Sequence, residues 1–222
     1  MSKIASFVRL DFYTLKPYKK SIILLIVIGL ILGLTLKSLS VLPAIFMMWL
    51  VMYMSYPFSI GEKNGMDTLY ATLPLRRRDI VIGRFAFVLL MEFITIAFVL
   101  LLSLLLSNLF PLPMDQSMGE ALFSLCVLSA VFSLLVAIQY PLYFKLGYTK
   151  AKLFTYIPFL LILMLISFWS AEEFSIAVNW ISVWQFISAH QFLMYGSPVT
   201  IGLILLGLSC ALSRRLYERR DI

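Results

Sequence analysis

The distribution of apolar residues constrains this chain more than any other feature. Six runs, at about 21–36, 39–60, 85–110, 121–144, 153–170 and 197–213, are nearly free of charge, and short polar connections separate them. A helix that crosses the hydrocarbon of a bilayer needs roughly 20 mostly apolar residues. The first run is short for this, so residues 18–20 and Lys37 extend it by snorkelling. No soluble fold of this size can hide so much apolar surface: 62% of the residues are hydrophobic and 13% are charged, against about 25% charged in soluble domains. The expectation is one all-α integral membrane domain over 1–222, with six transmembrane helices. Runs one and two lie so close that they must form a tight helical hairpin.

Lysine and arginine orient the bundle. Seventeen of the eighteen basic residues fall before run 1, between runs 2 and 3, between runs 4 and 5, and after run 6. The opposite connections hold Lys37 with Asp115, Glu120, Glu172 and Glu173. By the positive-inside rule both termini are cytoplasmic. The net charge of +7 therefore reflects topology, and no nucleic-acid partner is expected. Cys126 and Cys210 lie inside apolar runs and read as packing residues. No signal peptide with a cleavage site is visible.

Two stretches outside the runs are too apolar for solvent. In residues 1–20, Ile4, Phe7, Val8, Phe12 and Leu15 share a helical face, while Lys3, Arg9 and Lys16 lie mostly elsewhere. This predicts an amphipathic helix in the cytoplasmic interface, ended by Pro17. Residues 171–196, "AEEFSIAVNWISVWQFISAHQFLMYG", carry Trp180, Trp184, Phe186 and Tyr195. Such residues favour membrane interfaces, which predicts short outer-leaflet helices, interfacial or re-entrant, before the last span.

Most site chemistry is missing. There is no phosphate-binding G-x-x-x-x-G-K-[ST] loop, and His190 is the only histidine, so no paired-histidine metal site exists. Ser209 and His190 do not assemble a protease, and the paired glutamates of "AEEF" lack the arginine that membrane CAAX-type proteases place a turn later. Glu92, in "VLLMEFITIAF", is the intramembrane polar candidate, because a carboxylate at that depth faces protein or water. Counted from Phe85, it lies about 10 Å into its span. It is read either as a structural residue or as a contact in a substrate or coupling path. Gly29 and Gly33 form a G-x-x-x-G, which serves as a dimer seam or as packing within the chain.

One charged island remains, residues 61–84, "GEKNGMDTLYATLPLRRRDIVIGR". Met66, Leu69, Tyr70 and Leu73 fall at helical spacing, and Pro74 ends the helix. Arg76, Arg77 and Arg78 reach the headgroups, and Asp79 favours the first turn of the third span. Two readings stay open: a docking helix for a soluble partner, anchored by Tyr70 and Leu73, or a topology loop lying against lipid.

This arrangement resembles permeases of the ABC-2 (type V) ABC transporter family. "ATLPLRRRDIVIGRF" at 71–85 is similar to a family segment of the form ATLPVSRREIVLGKY, although Arg76 stands where that segment has a capping serine. The N-terminal helix, six spans, short outer helices and the ending "YERRDI" (217–222) extend the resemblance over essentially the whole chain. In size the chain looks most like small bacterial permeases of the phenol-soluble-modulin and antimicrobial-peptide exporter type.

The resemblance implies a cytosolic coupling helix gripped by a separate ABC ATPase, in two copies, which binds the ATP and Mg. This chain then has no cofactor and is not an enzyme. Met66, Asp67, Leu69, Tyr70, Leu73, Arg76, Arg77 and Arg78 are the expected ATPase contacts. A second permease, identical or related, and the bilayer of a bacterial cytoplasmic membrane complete the implied assembly. Amphipathic or antimicrobial peptides, or other hydrophobic compounds, are the implied substrates. The alternative is a six-span substrate-binding subunit of an energy-coupling-factor vitamin importer, which would not need the island. A membrane-embedded enzyme lacks a convergent polar set.

Overall fold

The structure is a computed structural model that describes residues 3–35, 41–66, 76–109, 118–154, 157 and 191–219. Among the described residues there are helices and no strands. They are α1 (Lys3–Leu15), a 3-10 turn (Lys16–Tyr18), α2 (Lys19–Thr35), α3 (Val41–Lys63), α4 (Arg77–Leu109), α5 (Met118–Leu146) and α6 (Gln191–Glu218). A further helical segment covers 148–154.

Four of these helices, α3 to α6, are long and apolar enough to cross a membrane. A fifth crossing is added if α1 and α2, bent by 71° to one another, count as one. The break lies between Tyr18 and Lys20, just after the turn that holds Pro17, whose missing backbone donor disfavours a continuous helix there. Most of the predicted fifth run, 153–170, and most of the outer segment 171–196 lie outside the described residues. Residues 191–196 of that segment belong to α6, which starts six residues before the predicted run.

Small residues set the closest helix approaches. A Cβ at Gly29 would come within 3.1 Å of the Phe46 ring, and one at Gly33 within 3.1 Å of Leu42. The G-x-x-x-G face of α2 is thus laid against α3 of the same chain, in the manner small residues permit. The most extensive helix pair is α5 with α6. There a Cβ at Gly202 would meet Ser133 Oγ at 3.0 Å and the Ala130 Cα at 3.5 Å. Gly202→Ala should therefore destabilise the protein by about 1–3 kcal/mol through overpacking. Nothing lies within 4 Å of a Cβ at Gly207, so Gly207→Ala should leave stability unchanged or improved. Thermal unfolding of the two variants in detergent checks the contrast.

The N-terminal helix packs in part on the rest of the bundle. Phe7, Asp11 and Leu15 recur every four residues and are all buried. This stripe packs on α4 and α3, and Phe12 sets its ring edge-on to Phe87 at 5.2 Å. Phe7 and Leu15 are turned into the bundle with an acid between them, while Phe12 of the same predicted face stays 39% exposed.

A second difference concerns α4. It begins at Arg77, eight residues before the predicted start of the third span. Glu92 thus lies about 22 Å from the first residue of the helix at 1.5 Å per residue, near the middle of its 33 residues.

Candidate functional site

The ends of α1, α3, α4, α5 and α6 that carry the basic residues meet at one end of the bundle, and the site is built there. Helix α3 runs through Gly61–Lys63, so Glu62 is in its last turn and not in a new helix. Gly65 then adopts φ 61°, a left-handed conformation that glycine takes without strain. The Asn64 N–H donates to Ile60 O at 3.0 Å and the Gly65 N–H to Glu62 O at 3.2 Å. Met66, after this break, is half-buried against the core. It lines a cavity of about 290 Å3 with residues of α1, α3 and Arg84.

Asp67, Leu69, Tyr70 and Leu73 lie outside the described residues. Beyond them, Arg76 precedes α4, and its carbonyl accepts the Asp79 N–H at 2.8 Å. Asp79 occupies the first turn, where its charge favours the positive end of the helix dipole. Arg76 and Arg78 are exposed, whereas Arg77 is half-buried. Arg77 Nη1 donates to the carbonyl oxygens of Tyr217, at 3.2 Å, and Glu218, at 3.1 Å. Its guanidinium carbon is also 6.0 Å from the Tyr217 ring centre. These two carbonyls end α6, where no intrahelical donor remains. The middle arginine of the triplet therefore caps a helix 140 residues away.

Glu62 performs the converse task. Gly147, with φ 79°, closes α5 through its N–H to Tyr143 O at 3.0 Å and opens the segment 148–154 by accepting the Ala151 N–H at 3.1 Å. The first amides of that segment, Tyr148 and Thr149, donate to Glu62 Oε2 at 2.5 and 3.1 Å. An acidic side chain at a helix N-terminus is favourable both as a hydrogen-bond acceptor and against the dipole.

At the centre sits Arg84, buried to 5% exposure. Its guanidinium carbon lies 4.3 Å from the Phe58 ring centre. Phe58 packs in turn with Tyr140, Tyr143 and Phe144 at centroid distances of 5.0 Å. Arg84 Nη1 is 3.9 Å from Asp11 Oδ1, and Asp11 is 1% exposed. This separation is an ion pair without a hydrogen bond. Burial pushes the Asp11 carboxyl up from its ordinary value, and the Arg84 charge pulls it back only in part.

Glu92 stands apart, deeper in the bundle. Glu92 Oε1 accepts the hydroxyls of Ser129 at 2.6 Å and Ser133 at 3.3 Å. All three residues are buried, so the carboxyl joins α4 to α5. Hydrogen bonds between membrane helices average about 0.6 kcal/mol and reach about 1.7. Glu92→Gln keeps the acceptor oxygen and should unfold close to the parent. Glu92→Leu removes both bonds and should cost about 1–3 kcal/mol on that scale. Equal losses in the two variants, measured by thermal unfolding, would show that charge and not the acceptor matters.

The arrangement brings Met66, Arg76, Arg77 and Arg78 to one end of the bundle and leaves Glu92 and the Gly29–Gly33 seam elsewhere. Three participants escaped the sequence reading: Asp11, Glu62 and Arg84. Asp11 carried a usable signal, since an acid four residues from both Phe7 and Leu15 shares their face. Among the described residues the structure offers helix-end clamps and a buried charge at this end of the bundle. A family model described as ABC-2 family transporter protein matches residues 6–218. No curated protein matches the chain.

Proposed function

The chain belongs to the ABC-2 family of transporter proteins, a multi-pass membrane family that works with an ATPase, and from that premise we propose that it is the permease subunit of an ATP-driven exporter. The family match over residues 6–218 is the observation that carries this reading. It does not favour the vitamin-importer alternative.

In this reading the bundle has six spans in one domain, and both termini are cytoplasmic in a bacterial cell membrane. The convergence of basic residues at one end of the helices supports that orientation under the positive-inside rule. Residues 61–84 form the coupling region, and outer-leaflet helices precede the last span. Two ABC ATPase subunits supply ATP and Mg and grip Met66, Asp67, Leu69, Tyr70 and Leu73, with Arg76, Arg77 and Arg78 beside them. The exposure of Arg76 and Arg78 supports their part in the contact, while Arg77 also holds the end of α6. A second permease, identical or related, completes the pore. The substrates are amphipathic or antimicrobial peptides or similar hydrophobic compounds, consistent with the chain's size and apolar character. ATP-driven closure of the ATPases displaces the coupling region and rocks the spans as rigid bodies.

The test is to express the chain with the ABC ATPase encoded beside its gene, purify the complex and reconstitute it. ATP hydrolysis stimulated by amphipathic peptides is expected. Labelling of a Tyr70→Cys variant from the outside of intact cells, or full transport activity without any ATPase, overturns the reading.

A further inference from the structure

The ends of α3 and α4 that flank residues 67–75 are each bonded to a part of the bundle remote in sequence. Glu62, in the last turn of α3, holds the first amides of the segment 148–154. Arg77, the first residue of α4, holds the last carbonyls of α6. Both bonds run from a charged side chain to main-chain groups that a helix end leaves without intrahelical partners.

Local capping would satisfy the same groups. A serine, asparagine or aspartate beside Tyr148 would cap that segment from within its own turn. Position 147 is instead a glycine with positive φ, and the cap comes from another helix. The same logic holds at the C-terminal end of α6, where the capping cation comes from α4. Capping across elements makes two helices move together, which capping within one element does not.

We propose that Glu62 and Arg77 are positioning residues that transmit displacement of the α3 and α4 ends to the segment 148–154 and to α6, respectively. The proposal rests on the transporter reading above. Through Glu62, motion of α3 reaches the start of the fifth span. Through Arg77, motion of α4 reaches the last span. Without these ties, α3 and α4 would move and the segments beyond would lag. Glu62 is exposed, so its replacement should leave the protein folded.

The test uses the full chain in complex with its ABC ATPase, with Cys126 and Cys210 replaced by alanine. An environment-sensitive fluorophore is placed at Lys150→Cys or at Arg215→Cys, both exposed positions. The parent should change emission at both positions when ATP and vanadate are added. Glu62→Ala should abolish the change at 150 and keep that at 215. Arg77→Ala should do the reverse. ATPase stoichiometry and basal ATP hydrolysis should stay within about twofold of the parent in Glu62→Ala, and in Arg77→Ala the signal kept at 150 shows that the ATPase is still engaged.

Adding Gly147→Asn to Glu62→Ala separates two roles, because asparagine tolerates positive φ and caps the turn locally. A signal at 150 that stays lost supports positioning. A signal that persists in Glu62→Ala, or returns with Gly147→Asn, overturns the proposal and leaves Glu62 a cap alone. A parent with no ATP-dependent signal at either position refutes the transporter reading itself, and the relay with it.

Discussion

Replacing Arg84 by methionine should cost the fold about 3–5 kcal/mol at neutral pH, the usual effect of removing one member of a buried ion pair. The cost arises from what stays behind. Asp11 is almost fully buried, and burial already outweighs the pull of Arg84 on its carboxyl. Without Arg84, the ionised form of Asp11 loses its counter-charge in an apolar setting. Adding Asp11→Asn should recover much of the loss, since a neutral amide needs no counter-charge. The coupling between the two positions in a double-mutant cycle then measures the pair.

The pH dependence has a definite sign. A carboxyl whose folded pKa lies above its unfolded value stabilises fully below the unfolded value and loses that contribution as pH rises through the folded one. The Arg84→Met variant should therefore be relatively more stable in acid and weaken toward neutral pH, and adding Asp11→Asn should flatten that slope. Unfolding midpoints across the acid to neutral range decide it. A single variant with no pH slope would mean that Asp11 is not the group left exposed to the deficit.

The second large effect is on assembly. Tyr70→Glu or Leu73→Glu should abolish co-purification of the ABC ATPase while leaving membrane insertion and yield intact. A carboxylate forced into an apolar docking groove brings a desolvation penalty of several kcal/mol, and a loss of 4 kcal/mol lowers an affinity by roughly a thousandfold. Retention of the ATPase at parental yield would remove these two residues from the contact. Arg76→Ala, at an exposed position, should by contrast weaken the complex only modestly, because rim charges contribute little to affinity.

The helical class and the long apolar elements were readable because a bilayer permits few alternatives to the helix. The runs at 39–60, 121–144 and 197–213 correspond to α3, α5 and α6, each helix being longer than its run. The polar ends were harder to read. Arg84 looked like one more topology charge, since hydropathy carries no information about which way a side chain faces. It lies seven residues beyond Arg77, two turns on and on a similar side of α4, and both turn toward the bundle. Glu62 follows the apolar run in sequence, and nothing in that order shows that it also closes α3 and reaches the segment 148–154. Arg77 was grouped with its neighbours, although successive residues on a helix point about 100° apart. Asp11 shows the general difficulty: its periodicity was visible, but the partner that explains it is 73 positions away.

The link from Arg77 to Tyr217 and Glu218 also bears on biogenesis. Its donor emerges from the ribosome long before its acceptors, and at about 5–20 residues per second the interval is many seconds. During that time the start of α4 lacks its anchor in the last helix. A nascent subunit thus gains this tie between α4 and α6 only once α6 has been made.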